Sequence, residues 1–173
     1  MRRKILLVLF VILGAFWIYV KVFEEPRLAE KEKKYIARGL AKERDSYLMR
    51  QTHTYYFTNK LSMEDVLSHL DIPLLEAHLE GLSNKFVKAL HVGVSDHKLY
   101  LQTHTVTAQM GFQAVFEQIA TSTGIVFCVS VNQCKGFGLE TFFRLPYNVF
   151  LTFIENTLVE LDGTIEVERK LIN

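Results

Sequence analysis

Ile5-Leu6-Leu7-Val8-Leu9-Phe10-Val11-Ile12-Leu13-Gly14-Ala15-Phe16-Trp17-Ile18-Tyr19-Val20 runs for sixteen residues without a charge, and it divides the chain into two parts. At about 1.5 Å per residue it makes roughly 24 Å of helix. Val22 and Phe23 lengthen it to roughly 28 Å if Lys21 snorkels, close to the 30 Å of a bilayer core. Trp17 and Tyr19 lie near one end, where amphipathic rings favour the membrane interface. Residues 1–23 therefore read as a transmembrane signal-anchor that meets membrane lipid through residues 5–23. Two readings compete with it: a cleaved signal peptide, with Leu13-Gly14-Ala15 as a small-residue cleavage site, and a buried core helix, which an apolar face all round at the extreme N-terminus fits poorly. The apolar run continues past Ala15 to Val20, which a signal peptide does not need.

Basic residues flank both ends of the run: Arg2, Arg3 and Lys4 before it, Lys21, Arg27, Lys31, Lys33 and Lys34 after it. The positive-inside rule does not decide between them. A very short N-terminus ahead of a long C-terminal part is the usual form of a signal-anchor. The expected topology is thus N-inside, with Pro26 to Asn173 across the membrane.

The chain has 173 residues, 49% of them apolar including 13 Phe, so a packed core is within reach. A net charge of +1 gives no bulk electrostatic case for nucleic acid. Residues 24–51 are charged, with Leu28, Tyr35, Ile36, Leu40, Tyr47 and Leu48 forming one apolar stripe. That stripe suits a helical stalk, which offers an oligomer contact, or an amphipathic helix lying on its own domain; the second is the commoner arrangement.

Residues 52–97 read as a strand and helix subdomain. His53 to Thr58 is rich in aromatic and β-branched residues and predicts a strand. Ser62-Met63-Glu64-Asp65 has the form of a capping box and opens a helix limited by Pro73. Residues 74–90 carry leucines near helical spacing and read as helix, with Gly81 as an interruption that allows a start at Ser83 instead. His91–Val94 and Leu99–Gln102 flank the polar cluster Ser95-Asp96-His97-Lys98, which predicts a hairpin.

Residues 98–173 predict strand, helix, strand, strand, helix, strand. The first helix is Gln109 to Ser122, with Met110, Val115, Phe116 and Ile119 on one face and Gly124 as its left-handed cap. Ile125–Val131 is a strand, 132–138 a turn, and Leu139–Leu145 a strand. Pro146-Tyr147-Asn148 opens a helix over Val149–Leu161, and Thr164–Arg169 closes the unit as a strand. The expected class is α+β, with two helices packed on a small mixed sheet.

The pattern Phe112-Gln113-Ala114-Val115-Phe116-Glu117-Gln118-Ile119-Ala120-Thr121-Ser122-Thr123-Gly124-Ile125, with Leu145-Pro146-Tyr147-Asn148-Val149-Phe150-Leu151-Thr152-Phe153-Ile154, resembles the secretin and TonB short N-terminal (STN) domain and its N0-like relatives. The resemblance implies a periplasmic domain that docks other envelope proteins through sheet edges and helix faces, with no catalytic residues. Two departures accompany it: no secretin or outer-membrane barrel follows, and the unit hangs from an anchor.

No catalytic, cofactor-binding or metal motif accompanies the pattern. The six His, at 53, 69, 78, 91, 97 and 104, include no His-x3-His pair. Gly136-Phe137-Gly138 lacks the setting of a dinucleotide loop. Cys128 and Cys134 read either as a disulfide formed in an oxidising compartment or as two small core residues.

The functional expectation is a non-enzymatic, single-pass subunit of a bacterial envelope assembly of the secretion, pilus or conjugation type. It would sit in the inner membrane with its C-terminal domain in the periplasm. The alternative is a tethered enzyme or small-ligand module with a pocket between helix 149–161 and the sheet.

Overall fold

The computed structural model describes residues 2–44, 52–58, 60–82, 88–104, 111–121, 124–135 and 140–171. Helix α1 (Arg2–Tyr19) passes through a π-helical turn (Val20–Glu24) directly into α2 (Glu25–Ala37). The described chain continues with β1 (Thr52–Phe57), α3 (Met63–His69), α4 (Ile72–Glu80), β2 (Lys88–Ser95), β3 (Lys98–His104), β4 (Gly111–Thr121), β5 (Gly124–Lys135), α5 (Glu140–Leu161) and β6 (Glu166–Leu171).

The six strands form one sheet in the order β2-β3-β4-β5-β1-β6. Every pairing is antiparallel, so the sheet is not mixed. β1 sits between β5 and β6, and β2 pairs with β3, so the sheet does not divide at residue 97.

Alternation places Leu99, Leu101, Phe112, Ala114, Phe116, Phe127, Val129 and Tyr56 on one face of the sheet, all buried. Helix α5 covers that face: Phe112 stacks on Phe143 at 5.0 Å and meets Tyr147 edge-on at 5.9 Å. Helices α3 and α4 pack against α5, α4 also against β2, and α2 against α5. Phe150, Ile154 and Leu158 of α5 are fully buried.

Several local expectations hold. Ser62 accepts from the Asp65 N–H while the Asp65 carboxylate accepts from the Ser62 N–H, a complete capping box. The β2–β3 turn carries Asp96 at φ 51° and His97 at φ 57°, the positive pair that a two-residue hairpin of matching twist needs.

Five expectations are corrected. Of the stretch expected as helix 109–122, the described residues 111–121 are strand β4, paired along its whole length with β5 from Gly111↔Lys135 to Thr121↔Gly124. Gly124 therefore opens a strand and caps no helix. The resemblance took its first helix from this same stretch. Of the strand expected over 139–145, residues 140–145 are helix and Leu139 lies outside the described residues; α5 begins at Glu140 and contains Pro146. Burial of Phe142, Phe143, Leu145 and Tyr147 outweighs the backbone bond that Pro146 removes. The helix expected over 74–90 ends at Glu80, and Lys88 already belongs to β2. Part of the expected turn at 132–138 is β5, which reaches Lys135; residues 136–138 and stalk residues 45–51 lie outside the described residues.

Candidate functional site

Two features stand out: the long N-terminal helix with its docking face, and a charged cluster that ties its linker to the core.

Arg2 to Ala37 is one continuous helix, long and apolar enough over its first part to cross a membrane. Ile5 to Leu13 are exposed on every side, 47–72% each. From Phe16 onward one face turns to the domain. Phe16, Val20, Glu24, Leu28, Glu32 and Ile36, each four residues from the last, are buried or half-buried. A four-residue step overshoots an α-helical turn by about 40°. The wider π turn at Val20–Glu24 takes up part of that drift, so both halves of the row look the same way. Across it the Tyr19 hydroxyl donates to Glu24 Oε1 at 2.6 Å. Lys31 Nζ donates to the Gly81 carbonyl at 2.6 Å and Tyr35 to that of His78 at 3.3 Å. Residues 25–37 thus lie on the domain, as an amphipathic helix does.

The charged cluster begins where α2 ends. Arg44 reaches Glu155 on α5 with two bonds, 2.8 Å to Oε1 and 2.6 Å to Oε2. Lys42 Nζ donates to Oε2 at 2.9 Å, the Tyr56 hydroxyl to Oε1 at 3.2 Å, and Arg169 stands 3.6 Å away. Asn148 clamps the Lys42 peptide from both sides, accepting from its N–H at 3.2 Å and donating to its carbonyl at 2.7 Å. Arg44 Nε donates to the same Asn148 oxygen at 2.9 Å. Glu32 completes the set, accepting from Asn148 at 3.2 Å and pairing with Arg144 at 2.8 Å.

Burial alone would raise the Glu155 carboxyl, but the Arg44 bonds and charge, with those of Lys42, hold it below its ordinary value. Burial, then the Glu155 charge, pushes the Tyr56 hydroxyl well up. Every group of the cluster has a partner of opposite character, which is the condition for keeping charges inside a fold. The arrangement holds the linker of the anchor helix against α5. It contains a carboxylate fixed in its ionised form and no activated nucleophile. A second carboxylate, Asp162, fixes the end of β1 to the α5–β6 turn through Thr58 at 2.8 Å and the Thr164 N–H at 3.0 Å.

The expected Cys128–Cys134 disulfide is corrected. Both residues lie on β5, and six residues of extended strand separate their Cα atoms by roughly 20 Å, against the 4.4–6.8 Å that a bond needs. The Cys128 thiol is pushed up to about 11 by burial and then by Glu117, its partner across the β4–β5 pair. Among the described residues no three His, Cys, Asp or Glu side chains come together as a metal site. His91 lies 3.3 Å from Glu76, which also accepts from the Val92 N–H at 3.3 Å and so covers part of the β2 edge.

Asn148 is read from the sequence as opening a helix, and no residue of the charged cluster is read as part of a charged site. The signal available was Asn148, Thr152 and Glu155, a polar row at i, i+4, i+7 among the apolar residues of 145–154 and just after them.

No family model matches the chain, and no curated protein and no solved structure is similar to it.

Proposed function

We propose that this chain is a single-pass, membrane-anchored subunit of a bacterial cell-envelope assembly, of the secretion, pilus or conjugation type, that works by protein–protein contact. In this reading α1 spans the inner membrane and residues 52–173 form a periplasmic docking domain. The observation that carries it is the continuous helix: an all-round exposed apolar segment, Ile5–Leu13, joined without a break to a helix docked on the folded domain. A rigid joint of this kind suits a subunit that must hold its domain in a set position at the membrane. Sheet edges serve such a role, and β6, with Glu166 to Lys170 exposed, is one of the two edge strands.

Fusions of alkaline phosphatase and of green fluorescent protein to Asn173 test the topology. An active phosphatase and a dark fluorescent protein are expected, because each folds on one side only. The opposite pair overturns the periplasmic placement. Crosslinking in intact cells followed by mass spectrometry then tests the docking role, with other envelope proteins as the expected products; capture of none overturns it.

A further inference from the structure

We infer that the folded domain sits in the lipid interface itself, with the outward face of residues 17–23 against lipid, rather than standing off the membrane on a stalk. The inference rests on the membrane reading of α1 given above.

A bilayer core of about 30 Å takes about 20 helical residues. From Ile5 that length reaches Glu24. The part of the helix exposed on all sides, residues 5–15, supplies only roughly 16 Å. The rest of the span must come from residues 16–24, and these already touch the domain. Val20 is 5% exposed and Glu24 6%, while Phe16 and Tyr19 pack against the core. On the other side of the same turns Trp17, Ile18, Val22 and Phe23 are 52–62% exposed. Over about 12 Å of helix, then, one face meets the domain and the other presents large apolar side chains outward. Both conditions are met only where the domain edge and the lipid surface overlap.

Lipid is the occupant that the chemistry favours over a partner helix. Trp17 and Tyr19 are interface residues by type. Lys21, 47% exposed in its side chain and paired with Glu25, snorkels from within the span, and Arg27, 76% exposed and 3.9 Å from Glu24, follows just beyond it. The end of the domain that lies lowest also follows from contacts. Glu32 meets Arg144 and Asn148, whereas Lys42 and Arg44, farther along, meet Asn148 and Glu155. The chain therefore advances along α5 in the same direction as α5. The anchor lies toward the amino-terminal end of α5, next to the end of the sheet where Gly111 pairs with Lys135. Ile119, paired with Val126, lies at the far end.

Trp17 is the single tryptophan, so emission can be read at one position at a time. The full chain is reconstituted in phosphatidylcholine vesicles, with and without brominated acyl chains, and titrated with iodide. Three proteins are compared: the native chain, Phe23→Trp in a Trp17→Phe background, and Ile119→Trp in the same background, each checked for an unchanged thermal midpoint. Trp at positions 17 and 23 is expected to emit to the blue, lose most of its emission to bromine, and resist iodide. Trp at 119 is expected to respond to iodide alone. If position 23 responds to iodide and not to bromine while Trp17 responds to bromine, the domain stands off the membrane and the inference fails alone. If position 23 responds to neither quencher, protein covers that face, a second copy or a partner helix, and the inference again fails alone. If Trp17 itself ignores bromine, the membrane reading fails and takes this inference with it.

Discussion

Arg44 and Glu155, 111 residues apart, meet through two parallel bonds of 2.8 and 2.6 Å, with side chains only 9% and 8% exposed. The pair joins the linker of the anchor helix to the central helix of the domain. Breaking a buried pair by removing one partner costs about 3–5 kcal/mol, here reduced by Lys42, which still donates to Glu155 at 2.9 Å. Arg44→Met should therefore lower the thermal midpoint of the detergent-solubilised chain by many degrees. Tyr56→Phe, which removes one neutral donor to the same carboxylate, should cost only about 1 kcal/mol. Equal effects for the two variants would show that Lys42 and Arg169 hold Glu155 without Arg44.

The same cluster sets an acid limit. The Glu155 carboxyl ionises more readily folded than unfolded, because the Arg44 and Lys42 interactions exceed the burial penalty. A depressed folded-state pKa gives stability that is present above the unfolded value, about 4.3, and is lost as pH falls through the folded value. Asp162 is held low in the same direction by the Thr164 hydroxyl, the Thr164 N–H and Thr58. Thermal midpoints should hence fall steeply below about pH 4. Glu155→Gln should start lower at pH 7 and show a shallower acid limb. A limb of unchanged slope would place the acid sensitivity elsewhere.

Parts of this architecture were legible in the sequence, and the failures have physical causes. α1 was readable because sixteen uncharged residues have few other uses. The hairpin was readable from Ser95-Asp96-His97-Lys98, since two of its residues must take positive φ. β4 was misread because both of its faces are partly buried. Phe112, Ala114 and Phe116 face the helices while Val115 is buried on the reverse face, so period two is blurred into an apparent helical stripe. α5 was cut short because Pro146 reads as a helix start. The Glu155 cluster was invisible for a different reason: its members come from α2, its linker, α5, β1 and β6, and only the fold brings them together.

The two cysteines give a chemical test of β5. A thiol raised to about 11 carries far less thiolate near neutral pH than an ordinary cysteine, whose pKa is about 8.5. Cys128 should alkylate slowly in the folded chain, roughly three hundredfold slower than after unfolding, from ionisation alone. Cys134, half-buried, should react faster than Cys128. Non-reducing mass analysis of protein isolated from cells should show no bond between the two. The tryptic peptide Leu99–Lys135, which holds both cysteines, recovered two hydrogens lighter than its dithiol form would contradict the extended path of β5.

The turn that delivers the linker to α5 can be tested at one glycine. α2 ends with Gly39 at φ 72°, the Gly39 N–H bonded to the Ile36 carbonyl at 2.9 Å and the Leu40 N–H to the Tyr35 carbonyl at 3.0 Å. That pair of bonds is a Schellman cap, which needs a left-handed residue at this position. A Cβ on Gly39 would meet no atom within 4 Å, so a side chain there meets backbone strain and no clash. Gly39→Ala should then cost about 1–2 kcal/mol, the ordinary penalty of an L-residue in the left-handed region. Gly39→Asn should cost less, because asparagine tolerates that region. The Ala variant should also weaken the hold on Lys42, three residues on, and so raise proteolysis in the linker before the core unfolds. Thermal midpoints and limited proteolysis of the two variants decide it: equal stability of both with the native chain would mean that the cap does not constrain the linker, and that the Arg44–Glu155 pair alone fixes its path.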